Sequence, residues 1–332
     1  MENQATLAEP HIPPASQAEG GLLSVVIPVY NEAETLPACV RRLTAVLDTL
    51  PMASEIVLVN DGSRDDSLAI MRQLHEADPR IAIVDLSRNF GKEIALSAGL
   101  DFAKGDAVVV LDADLQDPPE LIPELVKHWR AGYDVVYGKR VARQGETWLK
   151  KATAYAFYRV LQKLARVPLP EDTGDFRLLS RRAVNALRQL REQHRFMKGL
   201  FAWIGYPQKA VPYRRDPRYA GTTKWSYWRL WNLAIEGITS FTIAPLKVAS
   251  YLGLLTACLA AAYALFVVYK TLVWGEPVAG YPSLMVAILS LGAVQLLTLG
   301  IIGEYLGRIF NESKQRPLYF VKDYVESQIG EP

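Results

Sequence analysis

The stretch VVVLDADLQDPPE, residues 108–120, passes from an aliphatic run directly into a group of oxygen-bearing side chains. Residues 108–111 predict a buried strand, and Asp112, Asp114 and Gln116 follow at its carboxyl end. Open α/β sheets bind ligands at that edge, and Mg²⁺ takes carboxylates together with substrate phosphates. An isolated Asp-x-Asp pair arises about once in a chain of this length from composition alone. The prediction of a metal and diphosphate site therefore depends on what surrounds the pair.

The chain around this stretch alternates aliphatic strands with amphipathic helices. This alternation predicts right-handed crossovers and a mostly parallel, Rossmann-like α/β sheet with helices on both faces. The predicted strands are 22–30, 55–61, 81–87, 106–114 and 134–140. The predicted helices are 34–50, a helix beginning near 65, 92–103 and 118–129.

Polar residues follow each of the first four strands and fall on one edge of the predicted sheet, which we call the rim. The first strand closes with PVYNE (28–32), the second with NDGSRD (60–65) and the third with SRNFGKE (87–93). No GxGxxG follows the first strand, and NFGKE lacks the upstream glycine of a P-loop, so neither a dinucleotide fingerprint nor a Walker motif is present. The predicted rim residues are Glu32, Asp61, Lys92, Asp112 and Asp114. For the first two, a helix cap or turn role stays open.

Composition excludes several other classes of protein. The formal net charge of +2 gives no bulk electrostatic reason to expect a nucleic-acid partner. Cys39 and Cys258 have no Cys or His neighbour at metal-ligand spacing, which argues against a disulfide framework or a zinc site. Residues 1–21 are polar and rich in Pro, Ala and Gly, and we interpret them as a flexible tail rather than a signal peptide.

Two apolar runs near the carboxyl end, at about 248–269 and 283–302, predict two transmembrane helices within 246–302. Each is close to the ~20 residues that cross a bilayer, and neither carries the amphipathic stripe of a buried core helix. The connection between them has no Lys or Arg, whereas the tail, 303–332, is basic just after the second run. The positive-inside rule therefore places both termini in the cytoplasm.

Two further segments predict contact with a membrane surface. Residues 146–166 interleave Lys and Arg with aromatic and leucine side chains, which is typical of an interfacial helix, although an ordinary solvated helix face is the alternative. Residues 223–245 contain Trp225, Trp228 and Trp231, which predict an aromatic belt. Together these segments would hold the rim at headgroup depth.

The motifs PVYNE, DGS at 61–63, RNFGKE and DADLQDPPE, in this order, resemble the family-two glycosyltransferases with a GT-A fold. GDFRLLSR (174–181), RFMKGLFAWIGY (195–206) and GEYLGRIFNESKQRPLY (303–319) are similar to bacterial polyprenyl-phosphate glycosyltransferases of the bactoprenol glucosyl transferase type, relatives of dolichyl-phosphate mannose synthase. The resemblance covers about residues 22–322. It implies a cytosolic GT-A domain over 22–222, followed by the two transmembrane helices.

The resemblance implies metal-dependent, inverting transfer of a sugar from a UDP-sugar, with UDP-glucose as the first candidate. The acceptor would be undecaprenyl phosphate on the cytoplasmic leaflet of the bacterial inner membrane, and the enzyme would be a homo-oligomer, a tetramer by family analogy. The implied metal ligands for Mg²⁺ or Mn²⁺ are Asp112, Asp114 and Gln116. The implied nucleotide-sugar residues are Pro28, Tyr30, Glu32, Asp61, Lys92, Asp112, Ala113 and Asp114.

A phosphate acceptor changes which side chains the reaction needs. Its second pKa is near ~6, so the acceptor is already an anionic nucleophile, and cations are needed to bring it beside a diphosphate. Asp175 in GDF matches a residue proposed as catalytic in close relatives, although a capping Asp would look identical. The predicted catalytic residues are Asp112, Asp175 and Arg140. The predicted acceptor-phosphate residues are Arg140, Arg177, Arg218 and Lys224.

Two other functions share these sequence features. A processive polysaccharide synthase uses the same nucleotide-sugar fold, but it needs more spans and usually a QxxRW motif, which this sequence lacks. A membrane adaptor could keep the fold without turnover. The complete DxDxQ motif at 112–116 favours an active enzyme.

Overall fold

The computed structural model describes residues 21–141, 173–193, 195–215, 244–274 and 280–329. Several predicted features lie outside these ranges: most of the amino-terminal tail, the interfacial helix at 146–166, nearly all of the aromatic segment, and both Arg218 and Lys224.

Strands of the described residues form one sheet in the order β7-β5-β6-β4-β1-β2-β3-β8. Aliphatic side chains fill the central strands, and those of β1, β2, β3 and β4 are almost all buried on both faces, as expected for a sheet covered by helices on each side. The strands are β1 Leu22–Val29, β2 Ala53–Asn60, β3 Ile81–Leu86, β4 Ala107–Val110, β5 Val135–Arg140, β6 Thr173–Ser180, β7 Gln208–Tyr213 and β8 Val321–Val325.

The four adjacent strands β4-β1-β2-β3 are parallel, as predicted. β4 is shorter than the predicted strand 106–114, because it ends at Val110 and leaves the carboxylates of the DxD motif in a loop. Leu115 within that loop has a φ of 58°, a left-handed conformation that turns the chain away from the sheet. The motif therefore lies beyond the strand end, at the rim.

The other half of the sheet is reached through an antiparallel strand that the sequence did not predict. β6 lies between β4 and β5 and is antiparallel to both, whereas β5 and β7 are parallel. In the β4–β6 register Val110 pairs with Arg177. Because the strands run in opposite directions, Asp175 is carried past the end of β4 toward Asp112.

Helices cover both faces, as predicted. α1, α2 and α4 pack on one face, and α3, α5 and α6 pack on the other. At Gly99 of α3 an added Cβ would lie 2.2 Å from Val26 of β1, so this helix approaches the sheet more closely than a larger residue allows. The helices are α1 Leu36–Leu47, α2 Ser67–Ala77, α3 Lys92–Phe102, α4 Ile122–Arg130, α5 Arg181–Gln189, α6 Met197–Trp203, α7 Ala244–Trp274 and α8 Tyr281–Ser313.

The carboxyl-terminal part consists of two long helices and a returning strand. α7 and α8 pack against each other, and many of their large apolar side chains are exposed. In the described part of the chain, one segment, Ser290–Ser313, has the length and apolar composition of a membrane span. The assignment of both helices as spans stays a prediction.

β8 follows α8 and joins the sheet by antiparallel pairing with β3. Beyond it, the Ser327 hydroxyl donates to the buried carboxylate of Glu55, 2.9 Å away, and the Ser24 hydroxyl donates to the other oxygen of that carboxylate. Glu55 thus joins the chain after α8 to β1 and β2.

Candidate active site

Asp61 at the end of β2 fixes the loop that precedes α3. Its carboxylate is 2% exposed and accepts hydrogen bonds from the backbone N–H groups of Phe90 (2.7 Å) and Gly91 (3.0 Å). Burial raises the pKa of Asp61, while the two N–H donors act in the opposite direction. Gly62 has a φ of 65°, and a Cβ there would lie 2.5 Å from the Asn89 nitrogen, so the two loops meet backbone to backbone.

Lys92, the first residue of α3, joins the DxD motif to β6. Its Nζ lies 2.6 Å from Asp112 Oδ1 and 2.6 Å from Asp175 Oδ2. Desolvation alone would lower the pKa of Lys92, whose side chain is 44% exposed, but the two carboxylates raise it well above its usual value. Burial likewise acts to raise the pKa of Asp175, yet the Lys92 and Lys198 ammonium groups bring it below its usual range. Both Lys92 and Asp175 are therefore charged at neutral pH.

The DxD loop offers an open set of oxygen ligands. In the described residues no three His, Cys, Asp or Glu side chains converge into a protein-only metal cage. Mg²⁺ and Mn²⁺ fit such a site when one or two carboxylates are supplemented by substrate phosphates and water. Asp112 contacts the Lys92 ammonium on one side, and the remaining oxygens of the loop come from Asp114 and Gln116. The donor set at Asp112, Asp114 and Gln116 therefore fits the predicted ion.

A second group of charged side chains lies beneath this cluster. Glu93 accepts a hydrogen bond from the Met197 backbone N–H at 2.9 Å, and burial raises the pKa of Glu93 to about 7. Burial lowers the pKa of Lys198 on α6. Arg177 is 3% exposed, donates to the Gly174 carbonyl at 2.8 Å and lies 3.8 Å over the Phe201 ring. It supports the backbone that carries Asp175 instead of opening onto the rim.

Arg140 at the end of β5 is held by a buried acid. Asp117 is fully buried and accepts a hydrogen bond from the Tyr213 hydroxyl, which in turn accepts one from Arg140 Nε at 3.3 Å. Arg140 also lies 3.9 Å, and Arg215 3.7 Å, from the Asp117 carboxylate. Burial and the Asp117 charge raise the pKa of Tyr213. This chain of contacts orients the Arg140 guanidinium at the rim.

With this geometry established, comparison with known proteins identifies the family. The sequence pattern of "Glycosyl transferase family 2" matches residues 24–188, and that of "GtrB C-terminal hairpin" matches residues 244–309. The chain belongs to glycosyl transferase family 2. The prediction that it is a glycosyltransferase is confirmed.

Relatives match this glycosyltransferase over most of its length. An uncharacterized glycosyltransferase of Synechocystis sp. is 56% identical over 91% of this chain and 95% of its own. The bactoprenol glucosyl transferase of Shigella phage SfV is 46% identical over 91% of this chain and 98% of its own. Among solved structures, the glucosyl-3-phosphoglycerate synthase of Mycobacterium tuberculosis, in complex with Mn²⁺, UDP and phosphoglyceric acid, aligns with a TM-score of 0.51. It is 23% identical, covers 66% of this chain and 77% of that chain, and confirms the GT-A fold.

The structure brings some of the predicted site residues of this glycosyltransferase together and leaves others apart. Lys92, Asp112 and Asp175 meet directly, whereas the Glu32 carboxylate contacts the turn that precedes α1. The Glu32 carboxylate accepts a hydrogen bond from the Thr35 hydroxyl at 2.6 Å, and the Glu32 carbonyl accepts one from the Thr35 backbone N–H at 3.1 Å. Of the two roles left open by the sequence, the turn role is therefore present. Pro28 lies in β1, Tyr30 is 43% exposed after it, and Ala113 is buried in the DxD loop.

Several residues of the site were missed by the sequence reasoning. Four residues that lie at the site were not among those predicted: Asp117, Tyr213, Glu93 and Lys198. The first two contact Arg140, and the other two interact electrostatically with Asp175. Asp117 could have been noticed, because it follows the DxDxQ motif directly and precedes two prolines. Tyr213 carries no comparable signal in the sequence.

Proposed function

We propose that this glycosyltransferase transfers one sugar, with glucose from UDP-glucose as the first candidate, to the phosphate of a polyprenol carrier such as undecaprenyl phosphate. One observation carries the proposal: the acidic DxD loop and a cation-rich strand end meet at Lys92, which contacts Asp112 and Asp175 together. An acidic loop suits a metal-bound diphosphate, and neighbouring cations suit an anionic acceptor. The 46% identity to a bactoprenol glucosyl transferase supports this acceptor class.

The loops after β1, β2 and β4 form the proposed donor side of the rim. The backbone near Pro28 and Tyr30, together with Glu32, Asp61 and Ala113, would bind the nucleotide, and Asp61 also fixes the neighbouring loop through Phe90 and Gly91. Asp112, Asp114 and Gln116 would hold Mg²⁺ or Mn²⁺. When bound, the ion neutralises charge on the departing UDP.

The ends of β5 and β7 and the start of β6 form the proposed acceptor side. Lys92 was predicted among the nucleotide-sugar residues, but its contact with Asp175 leads us to assign it to the acceptor side. There Lys92 and Arg140 would draw in the lipid phosphate. An oxygen of that phosphate forms a bond to the sugar C1 while the bond from C1 to the UDP oxygen breaks, with inversion. Because the phosphate is already anionic, no strong base is required. Asp175 has a lowered pKa and is a poor proton acceptor, so we assign it the positioning of the Lys92 ammonium. Arg177 would support Asp175 from below, and Arg218 and Lys224 would add further cations.

The membrane placement belongs to the same proposal. α7 and α8 would cross the bacterial inner membrane, with both termini and the catalytic domain in the cytoplasm. The exposed apolar side chains of both helices support the crossing, and the basic residues after Ser313 support the orientation. The segments 146–166 and 223–245 would lie at the interface, and a tetramer would be the working form.

A transfer assay tests the proposal. Purified full-length protein in detergent is incubated with undecaprenyl phosphate, labelled UDP-sugars and Mg²⁺ or Mn²⁺, and lipid-linked label is measured. We expect a single sugar of inverted configuration at C1, with UDP-glucose the best donor, and no product without the ion. Lipid label that grows into a polymer would favour a processive synthase. Absence of lipid-linked label with every nucleotide sugar would reject the proposal.

A further inference from the structure

A cavity of about 620 Å³ lies between the loop preceding α3 and the segment following α8. Its walls combine cationic and apolar side chains, and none of the proposed donor or acceptor residues lines it. The lining residues used below are Arg88, Phe90, Lys314, Arg316, Leu318 and Phe320.

Three of the side chains that line the cavity are cationic. Across the described ranges, none of Arg88, Lys314 and Arg316 forms an ion pair with a carboxylate. Arg88 lies 4.2 Å over the Phe90 ring, and Lys314 lies 3.8 Å over the Phe310 ring. Glu312, two residues before Lys314, accepts a hydrogen bond from the Gln193 backbone N–H. Guanidinium and ammonium groups grouped in this way bind phosphate.

The cavity opens where the apolar surface of α8 ends. Leu306, Ile309 and Phe310 are 62%, 62% and 58% exposed near the end of this helix, and Phe320 is 59% exposed at the cavity itself. Phe310 precedes Lys314 by about one helical turn. Exposed aromatic and aliphatic side chains followed at once by cations are typical of the headgroup level of a bilayer.

We propose that this cavity binds the phosphodiester headgroup of an anionic membrane phospholipid. The three cations would take the phosphate, and the exposed side chains of Phe310 and Phe320 would contact the first carbons of the acyl chains. The proposal rests on the membrane placement of α8 given above. It does not rest on which sugar or acceptor the enzyme uses.

A bound headgroup would contact the loop that precedes α3 on the side that faces away from Asp61. Arg88 and Phe90 face the cavity, while the Phe90 N–H is bonded to Asp61 and Lys92 reaches the two rim carboxylates. The Ser87 N–H donates to the Phe320 carbonyl at 2.9 Å, which links the loop to the segment after α8. Filling the cavity would therefore hold in place the loop that delivers Lys92.

Lipid retention by the purified full-length protein tests the proposal. Native mass spectrometry compares phosphatidylglycerol with phosphatidylcholine for the wild type, for K314Q/R316Q and for the matched control K127Q/R130Q. The control pair removes the same two charges from the exposed face of α4, at the opposite edge of the sheet. We expect phosphatidylglycerol to bind K314Q/R316Q about tenfold more weakly, with the control unchanged. R88Q, on a separate segment, should show a similar loss.

Three results would overturn the proposal. Equal phosphatidylglycerol binding by the wild type, K314Q/R316Q and R88Q would show that these cations hold no headgroup. Equal retention of phosphatidylcholine would show that the contact is apolar only. Displacement of phosphatidylglycerol by one equivalent of undecaprenyl phosphate would make the cavity part of the acceptor path. Because the measurement contains no nucleotide sugar, its result is independent of the transfer assay.

Discussion

Asp61 on the proposed donor side of the rim and Asp175 on the proposed acceptor side receive their hydrogen bonds from different kinds of donor. On the donor side, Asp61 accepts two backbone N–H groups, from Phe90 and Gly91. On the acceptor side, Asp175 is bonded by the Lys92 ammonium and Asp117 by the Tyr213 hydroxyl. The difference separates a fixed framework from groups that can change partners.

The two kinds of donor differ in how freely they move. A backbone N–H can leave its acceptor only if the loop itself moves. An ammonium on a four-carbon stem has three donors and can exchange one carboxylate for a phosphate oxygen by rotation of side-chain bonds. We therefore expect substitutions on the donor side to change structure as well as donor binding, and those at Lys92 to change mainly the use of the acceptor.

The largest effect is expected for Asp112→Asn, which removes charge where the two sides meet. The substitution weakens the donor set of the DxD loop and releases one partner of Lys92. Transfer should fall by about 10³-fold, of the order seen when a preorganised electrostatic group is removed. Initial rates of lipid-linked product measure it, and Asp66→Asn, an exposed acid before α2, is the matched control. Retention of more than a tenth of the activity would contradict this role.

Lys92→Gln should lower transfer by about 10²-fold, because one charge that guides the acceptor phosphate is lost. If Lys92 serves the acceptor side, kcat/KM for the polyprenyl phosphate should fall, while the affinity for UDP, measured by calorimetry, should change little. Lys127→Gln, an exposed lysine of α4, controls for the loss of charge. If the affinity for UDP falls by as large a factor as kcat/KM for the polyprenyl phosphate, Lys92 belongs to the donor side and its assignment to the acceptor side is wrong.

Asp61→Asn should have a smaller effect on turnover and a clear one on stability. The amide keeps one acceptor oxygen but places an NH₂ group against a backbone N–H, so one of the two loop contacts is lost. Leaving a buried donor unsatisfied costs about 1–3 kcal/mol. Thermal unfolding and the KM for the donor measure it, with Asp66→Asn again as control. A normal melting temperature with a raised donor KM would show that Asp61 serves the nucleotide alone.

The sequence predicted the parallel half of the sheet because its strands are nearly continuous aliphatic runs, which only a sheet covered on both faces explains. β6 escaped prediction because TGDFRLLS places Asp175 and Arg177 among its apolar residues. Arg177 is nevertheless buried, since Phe201 and the Gly174 carbonyl receive its guanidinium. Only the fold shows that this strand enters the sheet between β4 and β5.

Only part of the candidate site could be predicted from the sequence, namely the part that depends on the parallel strands. Lys92 and Asp112 follow parallel strands of one sheet, so their meeting at one edge follows from topology. Asp117 and Tyr213 are 96 residues apart and meet because β7 pairs with β5. No local pattern in the sequence carries that contact.

The smallest effect on transfer is expected for Glu93, which lies under the cluster without contacting a proposed ligand of the metal. Burial raises the pKa of this carboxyl to about 7, so the folded protein holds its proton more tightly than the unfolded chain does. The stability contributed by the neutral form is complete below the unfolded value of about 4.3 and is lost as the pH rises through 7. Glu93→Gln cannot ionise and keeps an oxygen for the Met197 N–H.

The stability advantage of Glu93→Gln over the wild type should therefore grow by up to about 3 kcal/mol between roughly pH 4.5 and pH 8. Chemical unfolding of both proteins across this range measures the difference, and Glu76→Gln, an exposed acid of α2, should give a flat difference. A flat difference for Glu93→Gln would mean that Lys92 and Lys198 keep Glu93 ionised. Glu93 would then be one more carboxylate held by side-chain cations, and the acceptor side would extend beneath α3.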